Sequence, residues 1–260
     1  MEIEFYKYQG TGNDFVMLDN RDGIYNQITL EQVQFLCDRK FGIGADGLIK
    51  IDRSNDLDFG MDYYNSDGSK SFCGNGARCS LAFFNYLNSS NNGEFEFEAI
   101  DGVHKGSVKE LVALDMSEVS SIEKEGNNYI LNTGSPHYVS FVSSVSDLDV
   151  DRLGKVIRYS EPFNEKGINV NFAEEKGANT LYVRTYERGV EAETLSCGTG
   201  VTAAALAYFL KNDYLGKCVT DIQTLGGNLI VEAFHKGNGE FTAIQLIGPA
   251  KFVFKGKINV

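Results

Sequence analysis

Short stretches of alternating apolar and polar residues recur along the chain, which is the pattern of half-buried β-strands. This alternation predicts seven strands, at Glu4–Tyr8, Asp58–Tyr64, Glu94–Ala99, Tyr138–Val142, Thr180–Tyr186, Asn228–Phe234 and Phe241–Ile247. Helical patterns are fewer, so the pattern favours an α+β or α/β protein with much strand.

Three segments carry helix signals. Thr29 and Gln32 form a capping box that predicts a helix over Leu30–Asp38. Further helices are expected over about Gly74–Leu87 and Gly198–Leu210, where small and apolar residues cover most of the helix circumference. A helix that is apolar nearly all round is buried nearly all round, and a curved sheet wrapped around each helix would bury it.

The chain contains signs of an internal duplication. Two motifs of the form Cys-Gly-x-Gly begin 124 positions apart, at Cys73 and Cys197, and Gly12–Val16 resembles Gly134–Tyr138 at an offset of 122. Two similarities at nearly one offset indicate a duplicated domain.

The polar stretch Asp115–Asn128 is the expected boundary between the two repeats. We therefore predict two pseudo-symmetric domains, each a curved, mainly antiparallel sheet wrapped around a central buried helix. The repeats would span 1–116 and 117–249, and a strand at 250–260 could return to the first repeat.

Composition narrows the class of protein. The length of 260 residues suits one large domain or two smaller ones. A net charge of −12 disfavours nucleic acid as a partner. No apolar run is long enough to span a membrane, and the first residues lack a signal-peptide pattern, so we expect a soluble, cytoplasmic protein. Five cysteines, no CxxC pair and three histidines suggest neither a disulfide framework nor a zinc site.

The two Cys-Gly-x-Gly motifs carry the candidate chemistry. Each lies where a helix is expected to begin, and its glycines let a ligand approach the backbone closely. Unpaired amides and the positive end of the helix dipole would bind a carboxylate there. The same environment favours a thiolate and would lower a cysteine pKa from about 8.5 toward neutrality.

Two such cysteines related by pseudo-twofold symmetry would face each other across the domain cleft. Inversion at a Cα centre needs a base on one face and an acid on the other, and a thiolate and a thiol meet that need in both directions. Helix N-termini would stabilise the negative charge that the carbanion places on the substrate carboxylate. The pattern predicts an epimerase that uses Cys73 and Cys197.

Other motifs have simpler interpretations. Cys37, Cys79 and Cys218 are expected to be small apolar core residues. Gly42–Gly47 matches GxGxxG, but a helix precedes it and a strand follows it, which is the reverse of a dinucleotide site.

The motifs together resemble the diaminopimelate epimerase family over essentially the whole chain. The matching stretches are Gly10–Phe15, Gly42–Gly47, Tyr64–Ser69, Cys73–Cys79, Pro136-His137, Asn169–Phe172, Tyr186–Gly189 and Cys197–Gly200. The resemblance implies conversion of LL-2,6-diaminopimelate to the meso form, in lysine and peptidoglycan precursor biosynthesis, with neither pyridoxal phosphate nor a metal as cofactor.

The resemblance also implies roles for individual residues. Cys73 and Cys197 would be base and acid, and the amides of Gly74, Asn75, Gly198 and Thr199 would hold the reacting carboxylate. The ammonium groups and the distal carboxylate would be held by Asn13, Asn65, Asn169, Glu187 and Arg188. His137 would either assist proton transfer or be a structural histidine. Arg78, inside the first buried helix, is expected to serve structure.

Two positions depart from the family pattern. Ser135 stands where the family usually has Asn, and Gly47 stands where some members have Gln. Both changes are expected to affect substrate affinity, since they alter the groups beside the site. Neither change removes an acid or a base. The partner implied is a small amino acid, and a homodimer is compatible with the family.

Two other functions remain open from the residues. A related racemase or isomerase could act on another amino acid, although Asn65, Asn169 and the Glu187-Arg188 pair supply a second charged-end site. A redox-sensing or amino-acid-binding protein could form a Cys73–Cys197 disulfide, but it would not need duplicated anion-binding helix starts.

Overall fold

The computed structural model describes residues 1–89 and 93–260. Its helices are α1 (Leu30–Cys37), α2 (Gly74–Leu87), α3 (Val150–Arg158) and α4 (Gly198–Lys211). Its first strands are β1 (Glu2–Gly10), β2 (Asn13–Asn20), β3 (Gly47–Asp52), β4 (Phe59–Asn65), β5 (Gly93–Ala99), β6 (Gly102–Val108), β7 (Val112–Asp115), β8 (Glu123–Glu125) and β9 (Asn128–Asn132). The others are β10 (Pro136–Phe141), β11 (Asn169–Gly177), β12 (Thr180–Glu187), β13 (Ala192–Thr194), β14 (Gly216–Thr224), β15 (Gly227–Gly237), β16 (Glu240–Gly248) and β17 (Lys251–Asn259).

The chain divides into two compact units. Unit 1 comprises Met1–Leu114 with Gly248–Val260, and unit 2 comprises Asp115–Ile247.

In unit 1, β1 pairs antiparallel with β2 and with β17, and β2 pairs parallel with β3, placing Phe15 opposite Gly47. The sheet continues through β4 antiparallel to β3, β5 parallel to β4, and β6 and β7 in antiparallel order. Helix α2 packs against β1, β2, β3, β4, β6 and β17, so the sheet surrounds it.

Unit 2 repeats this order. β9 and β10 are antiparallel, β10 and β11 parallel, β11 and β12 antiparallel, and β12 and β14 parallel. β15 and β16 complete the antiparallel part. Helix α4 packs against β9, β10, β11, β12, β14 and β15. The predicted fold class, a curved and mainly antiparallel sheet around a buried helix in each repeat, is confirmed.

The two central helices are buried as their composition predicted. In α2 only Tyr86 is exposed, and in α4 only Lys211 is exposed. The core around α4 consists of aliphatic and aromatic side chains from both the helix and the sheet, including Val201, Leu206 and Phe209. Burial of this kind contributes about 25 cal/mol per Å² of apolar surface and holds the start of each helix in place.

Several elements were not predicted from the pattern. Helix α3 was missed, as were β2, β11 and several short strands. Cys218 was expected to precede a strand, but it lies inside β14. Strand β11 was not predicted because its first six residues are all buried, which removes the alternation that identifies a half-buried strand. None of the helices in the described part of the chain is long and apolar enough to cross a membrane.

Candidate active site

Cys73 is the N-cap residue of α2. Its backbone is extended, with φ −137° and ψ 114°, and its Sγ accepts a hydrogen bond from the Gly76 amide at 3.5 Å. The amides of Gly74 and Asn75 occupy the first turn, where no helical carbonyl is available as an acceptor. The half-buried sulfur therefore lies at the positive end of a helix, where negative charge is stabilised.

Asn13 connects Cys73 to its surroundings. Its Oδ1 accepts from the Cys73 thiol at 3.4 Å and from Asn75 Nδ2 at 3.3 Å. Its own Nδ2 donates to Asp46 Oδ2 at 2.7 Å. These contacts fix the orientation of the Asn13 amide, because only its oxygen can accept and only its nitrogen can donate.

A charged cluster holds Asp46 and the start of β2. Arg39 contacts both Asp46 Oδ1 and Asp14 Oδ1 at 2.7 Å, and Lys7 Nζ lies 2.7 Å from Asp14 Oδ2. Burial acts to raise the pKa of Asp14, but hydrogen bonds and charge from Arg39 and Lys7 outweigh it and lower that pKa to about 2. This cluster was not predicted from the sequence, because its members are spread from position 7 to position 46 and meet only through strand pairing.

Asn65 lies at the end of β4. Its Nδ2 donates to the hydroxyls of Ser69 and Ser71, each at 3.1 Å, and its Oδ1 accepts from Tyr63 Oη at 2.8 Å. Gly47 lies beside Tyr63, and a Cβ built on it would come within 2.5 Å of both the Tyr63 ring and the Tyr64 carbonyl oxygen. With this backbone, position 47 accepts only glycine, because a backbone atom blocks any side chain.

Cys197 is the N-cap residue of α4, as Cys73 is of α2. Its backbone is also extended, with φ −109° and ψ 113°. The side chain is 7% exposed, and its Sγ lies 3.5 Å from Thr199 Oγ1. Gly198 and Thr199 hold the first two helical positions and present their amides at the helix start.

Glu187 lies at the end of β12 and is half-buried. Burial raises the pKa of its carboxyl group, whereas hydrogen bonds from Thr194 and Cys197 act to lower that pKa. Cys197 therefore has the carboxyl group of Glu187 as a neighbour and a hydrogen-bond acceptor.

His137 is fully buried beside Thr199. Its Nε2 lies 2.9 Å from Thr199 Oγ1, and Asn171 Nδ2 donates to its Nδ1 at 3.1 Å. Burial, assisted by the charge of Arg188, lowers the pKa of His137 to about 3. The ring is therefore neutral near pH 7 and carries its proton on Nε2, which donates to the Thr199 hydroxyl.

Asn169, Arg188 and Ser135 meet at the start of β11. Asn169 Oδ1 accepts from the Arg188 amide at 2.9 Å, and Asn169 Nδ2 donates to Ser135 Oγ at 2.9 Å. The Arg188 guanidinium is exposed, with Nη1 donating to the Lys166 carbonyl at 3.0 Å and Nη2 near Ser135 Oγ at 3.4 Å. The Ser135 hydroxyl, in the position where the family usually has Asn, thus accepts hydrogen bonds from both Asn169 and Arg188.

The predicted site residues fall into two groups, one in each unit. The first, which we call the Cys73 site, contains Asn13, Asn65, Cys73, Gly74 and Asn75; the second, the Cys197 site, contains His137, Asn169, Glu187, Arg188, Cys197, Gly198 and Thr199. Within the first, hydrogen bonds join Asn13, Cys73 and Asn75, whereas Asn65 bonds to its own turn.

Asn171 is a further residue of the Cys197 site that was not predicted from the sequence. It is fully buried, bonds to His137, and accepts from Thr185 Oγ1 at 3.0 Å. Its position two residues after Asn169 on one strand places both side chains on the same face, and that spacing was the available signal.

The fold is shared with solved structures whose sequences differ widely from this one. A phenazine biosynthesis protein of the PhzF family from Bacillus anthracis superimposes with a TM-score of 0.78 over 100% of both chains at 12% identity. A hydroxyproline epimerase from Agrobacterium vitis superimposes with a TM-score of 0.70, covering 99% of this chain and 92% of its own, at 11% identity.

Sequence comparison identifies the family. The profile described as "Diaminopimelate epimerase" matches residues 5–121 and 129–253. A diaminopimelate epimerase of Flavobacterium psychrophilum is 47% identical over 98% of this chain and 100% of its own length. A diaminopimelate epimerase of Chlorobaculum tepidum is 39% identical over 96% and 99%. The chain belongs to the diaminopimelate epimerase family.

Proposed function

We propose that this enzyme interconverts LL- and meso-2,6-diaminopimelate without a cofactor, in lysine and peptidoglycan precursor biosynthesis. The observation that carries the proposal is that each unit presents one cysteine as the N-cap of a buried helix, at Cys73 and Cys197. The two units are then two epimerase repeats, each supplying one acid–base group.

In the proposed reaction, one cysteine acts as a thiolate and takes the proton from Cα, which leaves the electron pair on that carbon. The other cysteine, as a thiol, delivers its proton to the opposite face and becomes the thiolate. The reverse reaction exchanges these roles, so atoms and charge balance in both directions. Amides of Gly74, Asn75, Gly198 and Thr199 would hold the carboxylate that receives the developing charge.

The remaining predicted residues would recognise the ammonium groups and the distal end of the substrate. Glu187 offers an acceptor to an ammonium group, and Asn13, Asn65 and Asn169 offer amide oxygens and nitrogens. The exposed Arg188 guanidinium offers a planar pair of donors to a carboxylate. His137 is proposed to position Thr199 as a neutral donor, since burial keeps it from titrating near pH 7.

The direct test is incubation with LL-diaminopimelate in D₂O, with deuterium incorporation at Cα followed by NMR. We expect deuterium at the inverted centre and conversion to the meso isomer. Exchange with proline or another small amino acid, and none with diaminopimelate, would identify a racemase of different specificity. Absence of exchange with every amino acid would favour a redox or binding protein.

We also propose that the enzyme works as a homodimer in the cytoplasm. Free thiols at Cys73 and Cys197 are required, and a reducing compartment maintains them. Unit 1 exposes an apolar strip on β17, where Phe252, Val253 and Phe254 are 49%, 52% and 44% exposed. Light scattering should give a dimer mass that Phe254→Asp reduces, whereas Leu215→Asp, at an exposed position of unit 2, leaves it unchanged.

A further inference from the structure

Arg78 lies in the second turn of α2 with no solvent exposure. Its Nη2 donates to Asn75 Oδ1 at 2.9 Å and to Thr11 Oγ1 at 3.4 Å. Its Nε and Nη1 have no hydrogen-bond partner among residues 1–89 and 93–260. A buried guanidinium with two unpartnered nitrogens, which carry three N–H donors, is unusual, because buried charges are normally paired.

No carboxylate of the described chain forms an ion pair with Arg78. Burial acts to lower the pKa of Arg78, and negative charge on Cys79 or Cys73 acts to raise it. Burial also raises the pKa of Cys79 to about 12, so Cys79 remains a neutral thiol near pH 7. Cys73 is therefore the group from which the buried cation can receive a compensating negative charge.

Arg78 also sets the geometry around Cys73. A guanidinium only donates hydrogen bonds, so Asn75 must turn its Oδ1 toward Arg78 and its Nδ2 toward Asn13. Asn13 Oδ1 then receives both Asn75 Nδ2 and the Cys73 thiol. A continuous set of contacts runs from Arg78 through Asn75 and Asn13 to the Cys73 sulfur.

The second repeat has no such cation. Five residues after Cys197, in the position that Arg78 holds after Cys73, stands Thr202, whose hydroxyl donates to the Gly198 carbonyl at 2.9 Å. The buried cation at this helix position is therefore a feature of the first repeat.

We propose that Arg78 is a positioning residue with two effects on Cys73. It orients Asn75 and Asn13 so that Asn13 Oδ1 accepts from the Cys73 thiol. Its buried charge stabilises the Cys73 thiolate and outweighs that hydrogen bond. The inference rests on the proposed acid–base role of Cys73, and it assigns a function to a side chain that the sequence alone suggested was structural.

Other titratable groups surround α2 and are the same in every variant below. Cys79 lies on the helix itself, and Tyr8 on β1 faces Cys79. Asp46 accepts a hydrogen bond from Asn13, and Arg39 forms ion pairs with both Asp46 and Asp14. His104 on β6 stacks on Phe72, next to Cys73. A change in Cys73 reactivity that follows substitution of Arg78 alone therefore reports on the guanidinium.

The experiment measures alkylation of Cys73 and Cys197 by iodoacetamide against pH, without substrate, with each peptide quantified by mass spectrometry. In the unsubstituted enzyme we expect the midpoint for Cys73 well below about 8.5, the value of an ordinary thiol. A midpoint at or above that value overturns the proposal even if no Arg78 variant folds.

Arg78→Met should raise the Cys73 midpoint by about one unit and slow its alkylation at pH 7 about tenfold, with Cys197 unchanged. Arg78→Lys keeps the positive charge and loses the planar set of guanidinium donors, so it should recover part of the shift in the Cys73 midpoint. An unchanged Cys73 midpoint in folded Arg78→Met, an equal shift at both cysteines, or a lysine variant equal to the methionine variant would overturn the proposal. The D₂O assay tests the epimerase activity separately, so failure of either idea is distinguishable.

Discussion

The Cys73 and Cys197 sites share a backbone and differ in what surrounds it. Both cysteines are N-cap residues followed by Gly-x-Gly and a buried helix, and the strand order leading to each is the same. Around Cys73 the supporting groups are charged: Arg78 lies nearby, and Asn13 contacts the carboxylate of Asp46. Beside Cys197, Thr199 is held by His137, which is neutral near pH 7, and the ionisable neighbour is the acidic Glu187 rather than a cation.

This difference distinguishes two features of each site: the helix start that stabilises an anion, and the side chains that orient the sulfur. The proposed mechanism needs the helix start and its glycines twice, since each cysteine would have to lie at an anion-stabilising helix terminus. The groups that orient each sulfur are not constrained to be alike, because any set that satisfies the local hydrogen bonds will serve. The two units share the backbone of the helix start and differ in the supporting side chains.

Removing either sulfur is expected to have the largest effect. Cys73→Ala and Cys197→Ala should each lower epimerase turnover by about 10³-fold or more, because each is proposed to serve as the acid or base on one face of Cα. The control variants are Cys37→Ala and Cys218→Ala, which remove buried cysteines of the two units and should keep activity apart from losses of stability. Near-normal turnover in both directions by either of the first two variants would contradict the two-base mechanism.

Substitution of Arg188 should reduce recognition of the distal carboxylate. Arg188→Ala is expected to weaken transition-state binding by about 2–5 kcal/mol, with partial recovery in Arg188→Lys. The measurement compares kcat/KM for diaminopimelate with that for lysine, which lacks the distal carboxylate. Arg152→Ala, at an exposed arginine of the same unit, is the matched control. An Arg188→Ala enzyme that still prefers diaminopimelate by the original factor would transfer this role to the asparagines.

The matched glycines Gly76 and Gly200 should respond differently to alanine. A Cβ on Gly200 would lie 2.3 Å from Asn171 Oδ1, whereas a Cβ on Gly76 would meet the end of Ile49 at 3.0 Å. Gly200→Ala should destabilise the fold by about 2–3 kcal/mol, because it displaces the Asn171 contact that supports His137. Gly76→Ala should change stability by less than about 1 kcal/mol. Equal losses on urea denaturation would show that the two helix starts are equally packed.

The buried His137 should make stability depend on pH. Its pKa is lowered to about 3 in the fold from 6.5, so the unfolded chain binds a proton that the native protein does not. The contribution of His137 to the free energy of unfolding is complete above about pH 6.5 and is lost as the pH falls toward 3. The loss between pH 7 and pH 5 is about 1–2 kcal/mol. Urea denaturation of His137→Gln should show a shallower decline over this range. An equally steep decline in that variant would assign the dependence to other groups.

Much of the fold could be read from local patterns. The capping box before α1, the apolar circumference of α2 and α4, and the repeated Cys-Gly-x-Gly motifs all lie within single turns or short segments. Their physics is local, since N-capping and amphipathicity depend on residues three or four positions apart. Strand β11 was missed because its first six residues are all buried and do not alternate with polar ones. Helix α3 carried a local signal that was overlooked: Asp149 is its N-cap, and Val150, Leu153 and Ile157 follow at helical spacing.

The sequence by itself determined which residues could carry acid–base chemistry, since a cysteine at a helix start is recognisable from its neighbours. Only the tertiary structure decided the partners of those residues. The parallel pairing of β10 with β11 places Asn171 against His137, and the pairing of β2 with β3 places Asp46 against Asn13. These contacts join residues 33 and 34 positions apart. Such contacts depend on strand register, which is set by the packing of the whole sheet rather than by any single segment.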